Sequence, residues 1–402
     1  MSFTAKHLAI KLKPAAQRMV KKGHPWVFEG AITKQSAEGK AGDLAIIYDN
    51  KKNKFLACGL YDPHSPIRIK ILQVHQSATI DANWFAQKIA LAQKKRTPLL
   101  ATDTNSYRLI YGENDGLPSL IADVYAHVLV IKLYAATWLP YLETLLPLLQ
   151  AQSQCTVAVL RLSRSLAPIA LQQGWVDGQV LYGDLEEEVV VFREHGIRFS
   201  ANVIHGHKTG YFLDHRHNRL KVGQLAKGKT LLDVFAYAGG FSVHALAKGA
   251  TAVSSLDISA QALAMAQANA ALNPHEGKHE ILAIDAFKGL EQLLQQGKQY
   301  DIVVIDPPSF AKKESEVAGA LHSYQRLAAL GLRLVTTGGL LVLASCTARI
   351  AADLFFETVE KTLQQSGKSI QLLEKTYHDV DHPIGFEEGA YLKCGYYKIR
   401  SC

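Results

Sequence analysis

The chain has 402 residues, of which 48% are hydrophobic and 20% charged, and this balance is that of a globular protein with two or three domains. It has no apolar run near the roughly 18 residues of a membrane span, and its first residues lack the hydrophobic segment of a signal peptide. The five cysteines are scattered and form no C-x-x-C pair, which argues against a disulfide framework or a zinc site and favours a reducing cytoplasm.

The formal charge of +8 is concentrated at the start of the chain. Residues 1–70 carry 13 Lys and Arg against 5 Asp and Glu, so the rest of the chain is balanced. A basic surface on one domain predicts a polyanionic partner, and RNA or DNA is favoured over a membrane. A basic domain without such a partner stays open as the alternative.

Residues 1–72 predict a small β-rich domain, because short apolar runs alternate with Gly and Pro. In the last run, 67–72, strict alternation places Arg68 and Lys70 on one face. The basic loop before Trp26 and Phe28 suits contact with RNA, although both aromatic side chains are more typical of a core than of a base-stacking platform.

Residues 73–190 predict a second unit of mixed α and β structure. Helical periodicity runs from Trp84 to Lys95, and two apolar runs at 120–125 and 128–133 predict a hairpin. A further helix is predicted at 138–150 and a strand at 157–161. A hairpin formed by 188–193 and 196–199 then leads into the last domain.

The segment from Gly206 to Arg219 is dense in polar side chains and lies just before a buried strand. We expect it to wrap a cofactor and to begin the first helix of the last domain. An exposed polar loop is the alternative, which Tyr211, Phe212 and Leu213 disfavour because they would anchor the segment.

From residue 230 onward, strands alternate with helices, which predicts a doubly wound parallel sheet. Ser259 is predicted to cap the helix that follows the second strand. Because the carboxyl ends of parallel strands form the ligand-binding edge of such a sheet, acids at those ends predict a nucleotide-type cofactor. Four acids occupy these ends: Asp233, Asp257, Asp285 and Asp306.

The first strand turns into a helix through Gly239 and Gly240, in the order A-Y-A-G-G-F. A nicotinamide or flavin enzyme would have G-x-G-x-x-G here to hold a pyrophosphate, so an oxidoreductase is disfavoured. S-adenosylmethionine carries no phosphate and fits the shorter turn. We expect Asp233 to face its ammonium or sulfonium end, Asp257 its ribose hydroxyls and Asp285 its adenine amino group.

The fourth strand ends in D-P-P-S-F, from Asp306 to Phe310. Class I methyltransferases that modify planar nitrogen bases use [DN]-P-P-x at this place to hold the edge of the base. Phe310 would stack on that base, and Lys312 and Lys313 would meet backbone phosphates. A tight turn without function is the alternative.

The fifth strand ends in A-S-C-T, which places Cys346 next to the fourth strand and near Asp306. A thiolate that adds to carbon 6 of a pyrimidine makes carbon 5 nucleophilic enough to be methylated, after which a base must remove the carbon 5 proton. A buried cysteine without function is the common alternative for a strand end taken alone.

Together, G-H-K-T-G-Y-F-L-D-H-R, D-V-F-A-Y-A-G-G-F-S, D-P-P-S-F and S-C-T resemble the bacterial 23S ribosomal RNA 5-methylcytosine methyltransferases with an N-terminal PUA domain. The resemblance covers essentially the whole chain. It implies an α/β protein with a β-rich PUA-like RNA-binding domain at 1–72, an α+β central domain at 73–190 and a Rossmann-like class I methyltransferase domain at 191–402.

By this resemblance Cys346 is the nucleophile, and Asp306 contacts the cytosine near N3. The cofactor is S-adenosyl-L-methionine, the partner is 23S ribosomal RNA in the cytoplasm, no metal is involved, and a homodimer stays open. The residues implied to bind the cofactor are Thr209, Phe212, Asp233, Phe235, Tyr237, Gly239, Asp257, Ile258, Asp285, Ala286, Asp306 and Pro307.

Related families supply alternatives. Guanine-N7 methyltransferases need no nucleophile, which Cys346 argues against, and uracil-C5 methyltransferases carry other appended domains. A catalytically inactive RNA-binding assembly factor is a further alternative, which the intact acids and Cys346 disfavour. Thr347 stands where the family more often has Ser, and the base that removes the carbon 5 proton is unassigned among His382, Glu387 and Glu388.

Overall fold

A computed structural model describes residues 3–400 of the protein. Contacts along the chain define two compact units. The first runs to residue 193 and adds 200–213 and 380–387, and the second comprises 194–199, 214–379 and the remainder from 388. Within the described range, no helix combines the length and the apolar character needed to cross a membrane.

The first unit begins with a six-stranded sheet whose strand order is β2-β6-β5-β4-β1-β3. Only β1 and β4 pair in parallel. Alternate residues such as Leu8, Ile10 and Ile47 form a buried core on one face, as strand periodicity requires. The elements are β1 (His7–Leu12), α1 (Pro14–Lys21), β2 (Trp26–Phe28), β3 (Ile32–Gln35), β4 (Leu44–Tyr48), β5 (Phe55–Tyr61) and β6 (Ile67–Val74).

Two side chains on β6 do not contribute to an exposed basic surface. Lys70 is only 2% exposed and its Nζ lies 2.8 Å from Asp62, while Arg68 pairs with Glu29 at 2.6 Å. The prediction that Phe28 belongs to the core is wrong, because this side chain is 50% exposed. Trp26 is half-buried, and its indole donates a hydrogen bond to a carboxylate elsewhere in the first unit.

The second sheet of the first unit has the order β11-β10-β9-β8-β7. Its core is continuous with residues of the first sheet, including Leu44 and Leu60. The predicted helix at 138–150 begins instead as a 3₁₀ turn that contains Pro140, and the α-helix starts at Leu142. The elements are α2 (Ala82–Leu100), β7 (Ser106–Tyr111), β8 (Leu120–Tyr125), β9 (Val128–Leu133), α3 (Leu142–Ser153), β10 (Val157–Leu162), α4 (Ala167–Leu171) and β11 (Val180–Tyr182).

A hairpin of β12 (Val189–Glu194) and β13 (Ile197–Asn202) follows, with His195 and Gly196 at positive φ in its two-residue turn. The carboxylate of Glu194 is buried in the second unit, where the Arg219 guanidinium donates to both of its oxygens at 2.8 and 2.6 Å. His244 lies 2.8 Å from the same carboxylate. Such pairing satisfies a buried charge that would otherwise be costly.

The second unit is built on a seven-stranded sheet with the order β16-β15-β14-β17-β18-β20-β19. The first five strands in this order are parallel, and β20 pairs antiparallel with both β18 and β19. The elements are α5 (Arg216–Leu225), β14 (Thr230–Val234), α6 (Gly240–Ala247), β15 (Ala252–Asp257), α7 (Ala260–Ala271), β16 (Lys278–Ala283), α8 (Ala286–Gln295), β17 (Tyr300–Ile305), α9 (Val317–Leu334), β18 (Val335–Ser345), α10 (Ala352–Gln364), β19 (Ile370–Thr376) and β20 (Lys393–Ile399).

The strand order reverses between β14 and β17. From β14 the chain proceeds outward through β15 to β16, and it then returns to place β17 on the other side of β14. The loops that leave β14 and β17 therefore diverge at this point, which is where open parallel sheets bind their ligands. The predicted doubly wound parallel sheet is confirmed.

Candidate active site

The site is formed by loops at the carboxyl ends of the parallel strands in the second unit. We call the loops after β14, β15 and β16 (residues 233–242, 257–259 and 284–286) the glycine-turn half. The loops after β17 and β18 (residues 306–310 and 345–350) are the thiol half. The two halves meet where the Asp306 amide donates to the Val234 carbonyl at 3.3 Å.

In the glycine-turn half, Asp233 is buried at the end of β14. Its Oδ2 accepts hydrogen bonds from the amide and the hydroxyl of Ser242, at 3.1 and 2.7 Å. Its Oδ1 is buried and has no hydrogen-bond partner among residues 3–400. Burial raises the pKa of Asp233 to about 7, with Ser242 opposing and Asp306 and Asp257 reinforcing the shift.

The turn after β14 is held in a conformation that leaves its backbone accessible. Phe235, Tyr237 and Gly239 all have positive φ, of 65°, 48° and 77°. A side chain at Gly239 would place its Cβ 2.7 Å from the Cβ of Ala266 on α7, so the close approach of α6 to α7 requires glycine here. Two non-glycine residues in this sparsely populated region are typical of a binding turn.

Asp257 ends β15 and joins this turn to the next. Its Oδ2 accepts from the Tyr237 amide at 3.0 Å, and its Oδ1 accepts from the Ser259 amide at 2.9 Å. The Ser259 hydroxyl accepts from the Ala262 amide at 3.2 Å, so the predicted cap of α7 is confirmed. Ile258 lies between Asp257 and Ser259 in the sequence, and 74% of its surface is exposed. Its apolar side chain can therefore pack against the flat face of a ligand.

The strand predicted to end at Asp285 ends two residues earlier, at Ala283, and Asp285 instead caps the helix α8. Its Oδ1 accepts from the Lys288 amide at 3.1 Å at the start of α8. Ala286 follows as the first residue of α8 and is buried.

In the thiol half, the predicted proximity of Cys346 to the D-P-P loop is confirmed, since β17 and β18 pair in parallel. The Cys346 thiol lies 3.6 Å from the Pro307 carbonyl oxygen and donates to it. Burial raises the pKa of this thiol to about 12, and the carboxylates of Asp306 and Asp214 add to the shift. In the free protein, Cys346 is therefore a neutral thiol at physiological pH.

Thr347 has a structural role that the sequence did not reveal. Its buried hydroxyl accepts from the Phe310 amide at 3.3 Å and forms a 2.8 Å hydrogen bond with the Tyr324 hydroxyl. The rings of Phe310 and Tyr324 pack edge to face at 5.3 Å. Thr347 thus fixes the loop that carries Phe310 to the strand end that carries Cys346.

His215 is a site residue that sequence reasoning missed. Its Nε2 lies 3.3 Å from Asp306 Oδ1, and its Nδ1 lies 3.1 Å from the Asn218 side-chain nitrogen. The Asn218 oxygen accepts from the hydroxyls of Thr376 and Tyr396, at 2.6 and 2.8 Å, which leaves its amide nitrogen to donate to His215. The neutral ring therefore carries its proton on Nε2, facing Asp306.

The pKa of His215 reflects the same contacts. Burial lowers it, but the neighbouring Asp306 and Asp214 carboxylates outweigh burial, so the net shift is upward. The only hint in the sequence was the density of polar residues in the D-H-R-H-N run, which does not indicate which residue faces the site.

The structure does not place all predicted residues in the second unit. Thr209 and Phe212 belong to the first unit, where the Thr209 hydroxyl donates to Asp123 at 2.6 Å and Phe212 lies 37% exposed beside His207. His382 is also in the first unit, buried and 2.8 Å from Asp381, whereas Glu387 and Glu388 are exposed. The assignments of these residues to cofactor binding and proton removal stay predictions.

Residues 108–391 match the S-adenosylmethionine-dependent methyltransferase family. The chain belongs to this family. A ribosomal RNA large subunit methyltransferase from Deinococcus radiodurans is 43% identical over 396 residues, which are 97% of each chain. A ribosomal RNA large subunit methyltransferase I from an Enterobacter species is 35% identical, over 95% of this chain and 97% of the other.

Residues 10–73 match a PUA-like domain, as the resemblance implied. Two solved structures share the fold at a TM-score of 0.81. One is a methyltransferase complexed with SAH, 22% identical over 98% of this chain and 99% of the other. The second is a SAM-dependent methyltransferase from Streptococcus mutans, 21% identical over 97% of this chain and 99% of the other.

The cofactor of this methyltransferase is therefore S-adenosylmethionine, and the site fits it. The unpartnered, buried Oδ1 of Asp233 is an acceptor for a cationic group, and the open backbone of the 235–239 turn lacks a phosphate cradle. When bound, the cofactor supplies a methyl group as an electrophile.

Proposed function

We propose that this enzyme methylates carbon 5 of a cytosine in 23S ribosomal RNA through a covalent bond between Cys346 and carbon 6. The observation that carries the proposal is the placement of a partly exposed thiol 3.6 Å from the D-P-P loop, beside the Asp306 carboxyl. A methyltransferase acting on a nitrogen or oxygen atom has no need of a nucleophile there.

The residues support the following sequence. Cys346 loses its proton, and its sulfur forms a bond to carbon 6 while the electrons of the 5,6 double bond move into the ring. Asp306 holds the edge of the ring at N3, where a proton is taken up as the charge develops and is given back when the thiolate leaves. Once carbon 5 has been methylated and has lost its proton to a base, the ring regains its double bond, the bond to sulfur breaks and the thiolate leaves.

Ribosomal RNA is proposed as the substrate because relatives with 43% and 35% identity over nearly the whole chain are ribosomal RNA large subunit methyltransferases. The PUA-like match and the excess of basic residues in the first 70 support an RNA partner. A cytoplasmic location follows from that substrate. The homodimer stays a prediction.

The cofactor contacts of the glycine-turn half belong to the same proposal. Asp233 would meet the cationic end of the cofactor, Asp257 the ribose, and Asp285 with Ala286 and Ile258 the adenine. Asp306 and Pro307 would close the pocket from the thiol half. These loops surround the point between β14 and β17 where the strand order reverses, which supports each assignment.

The test uses 23S RNA from cells that lack the gene, incubated with cofactor and enzyme and digested to nucleosides for mass spectrometry. Wild-type enzyme should yield 5-methylcytidine. Cys346→Ala should yield none while it binds the cofactor with unchanged affinity. Methylcytidine from Cys346→Ala would reject the covalent route, whereas 7-methylguanosine, 5-methyluridine or no product from the wild type would reject the target base.

A second experiment isolates the covalent step. RNA containing 5-fluorocytidine cannot lose a proton from carbon 5, so wild-type enzyme and cofactor should accumulate an adduct that survives denaturing electrophoresis. Cys346→Ala should form none, and Cys394→Ala, which removes a fully buried thiol on β20, should form it normally.

A further inference from the structure

A buried lysine binds the loop that carries the thiol and has no role in the mechanism above. Lys393 begins β20, opposite Ser345 on β18, and is 1% exposed. Its Nζ donates to the carbonyl oxygens of Thr347 and Ile350, at 2.7 and 2.6 Å. Among residues 3–400, no carboxylate lies within ion-pair distance of this ammonium group.

An ammonium group held in the interior without an anion is unusual. Burial of a lysine penalises its charged form, and two carbonyl dipoles compensate only part of that cost. Burial lowers the pKa of Lys393 to about 8, so the group still carries its charge at neutral pH. Cys346, once ionised, favours the ammonium form.

The position of Lys393 is defined by the nucleophile's own loop. The carbonyls it binds belong to the residue directly after Cys346 and to the residue that ends the same loop. The ammonium group is thereby fixed against the loop on the side of β20, away from solvent. It is held by hydrogen bonds to backbone atoms, which do not depend on the conformation of other side chains.

The other groups that face Cys346 oppose its ionisation. They are Asp306 after β17, Asp214 before α5 and the Tyr324 hydroxyl on α9, which also interacts with the thiol. Burial acts in the same direction, and His215 faces Asp306 rather than the sulfur. Lys393 is a cation that acts against this set.

We propose that Lys393 is the buried counter-charge that stabilises the Cys346 thiolate. The thiol proton leaves to solvent, and the resulting anion is paired with an ammonium group that is already in place. The proposal rests on the function of Cys346 as nucleophile. Lys393 acts through Cys346 and touches neither substrate nor cofactor, so it is a positioning residue and not a catalytic one.

The test measures the thiol directly and needs no RNA. The full-length protein is alkylated with iodoacetamide across a pH series, and modification of the peptide that contains Cys346 is followed by mass spectrometry. At pH 7, where Lys393 carries its charge, Lys393→Met should lower the alkylation rate of Cys346 at least about tenfold, and the difference from the wild type should shrink above pH 8 as the lysine loses its proton. Lys393→Arg keeps the charge and should stay within about threefold of the wild type.

Lys393→Gln separates charge from hydrogen bonding, because its amide can still donate to a carbonyl but carries no charge. It should behave like Lys393→Met. Wild-type reactivity at pH 7 in either Lys393→Gln or Lys393→Met would overturn the proposal. The buried Cys58, Cys155 and Cys394 report the fold in the same digest, since they become reactive only if a variant unfolds.

Failure here is distinct from failure of the proposed function. If wild-type enzyme forms no adduct with 5-fluorocytidine RNA, Cys346 is not the nucleophile, whatever the alkylation curves show. If the adduct forms and Lys393→Gln leaves the alkylation curve unchanged, the nucleophile stands and the role of Lys393 is wrong.

Discussion

The two halves of the site hold their functional groups in different ways. In the glycine-turn half, Asp257 and Asp285 accept hydrogen bonds from backbone amides two and three residues further along the chain. In the thiol half, the groups are held by distant residues. His215 reaches Asp306 across 91 positions of the chain, and Lys393 reaches the Thr347 carbonyl across 46.

This difference matches two kinds of task. Backbone amides hold the carboxylates of Asp257 and Asp285 in one place, which suits the binding of a cofactor with fixed hydroxyl and amino groups. Lys393, whose pKa is lowered to about 8, changes charge near neutral pH, and neighbouring carboxylates raise the pKa of His215; both side chains suit a site where protons must move. We therefore expect variants in one half to alter binding and variants in the other to alter turnover.

The strongest test exchanges a carboxylate for an amide in each half. Asp306→Asn should lower kcat by about 100-fold or more, because an amide cannot pass a proton to N3 of the base. Its affinity for the cofactor should fall much less than its kcat, because Asp306 only closes the edge of the cofactor pocket. Asp257→Asn should do the opposite, weakening cofactor binding several-fold with kcat at saturation nearly preserved.

Cofactor affinity is measured by calorimetry and turnover by methyl transfer to unmodified RNA. Asp301→Asn is a control on β17, where the carboxylate binds Thr230 at 2.8 Å and lies outside the site. Equal losses of kcat and cofactor affinity in the two site variants would contradict the division into halves.

A smaller loss of turnover is expected from the residues that orient Asp306. His215→Gln keeps a side-chain donor but cannot titrate, so kcat should fall by about tenfold and the pH dependence of kcat should flatten on its acidic side. His215→Phe removes the donor as well and should lower kcat further than His215→Gln does. Asn218→Leu should resemble His215→Gln in kcat, since it releases the His215 ring.

The pH profile distinguishes this role from a purely structural one. A misfolded or loosened site would lower kcat without changing the shape of the curve. An unchanged profile in His215→Gln would show that this imidazole does not influence proton transfer to the base.

The two halves also differed in how far they could be predicted from the sequence. A strand that ends on an acid, a glycine turn and a capped helix are local patterns, so the places of Asp233 and Asp257 at strand ends and the Ser259 cap could be predicted. The adjacency of Cys346 and the D-P-P loop was also predictable, because consecutive parallel strands in such a sheet are usually neighbours.

His215 and Lys393 could not be assigned in this way. A histidine in a polar run and a lysine in a C-terminal strand look like exposed residues, and no local spacing links them to 306 or 346. Their burial depends on an antiparallel strand pair at the far side of the sheet and on the Asn218 contacts to Thr376 and Tyr396. Such long-range contacts leave no periodic signal in one sequence.

Cofactor affinity should depend on pH through Asp233. With its pKa near 7, about nine-tenths of this carboxyl is protonated at pH 6, and a neutral acid attracts a cationic ligand weakly. Affinity should therefore rise by up to about tenfold between pH 6 and pH 8, with release of a proton on binding. Calorimetry in buffers of different ionisation enthalpy measures both quantities.

The matched variant is Asp233→Asn, in which the dependence should be lost apart from the titration of the cofactor itself. The stability of the protein without cofactor should change with pH in the opposite direction. Because the folded state binds this proton more tightly than the unfolded chain does, the stability of the unliganded protein falls as pH rises from about 4 to about 7. Affinity that is flat over this range in the wild type would place the cationic end of the cofactor away from Asp233.

The smallest effect concerns the cap of α7. Ser259→Ala removes the hydroxyl that accepts from the Ala262 amide and should lower the free energy of unfolding by about 1 kcal/mol. The Ser259 amide still donates to Asp257, so cofactor affinity should stay within about twofold.

Ser323→Ala is the matched control, because that hydroxyl only donates back to Gly319 within α9. Urea unfolding of the three proteins measures the difference. A large loss of cofactor affinity in Ser259→Ala would show that the hydroxyl, and not the backbone amide, positions Asp257, and the glycine-turn half would then depend on side chains as the thiol half does.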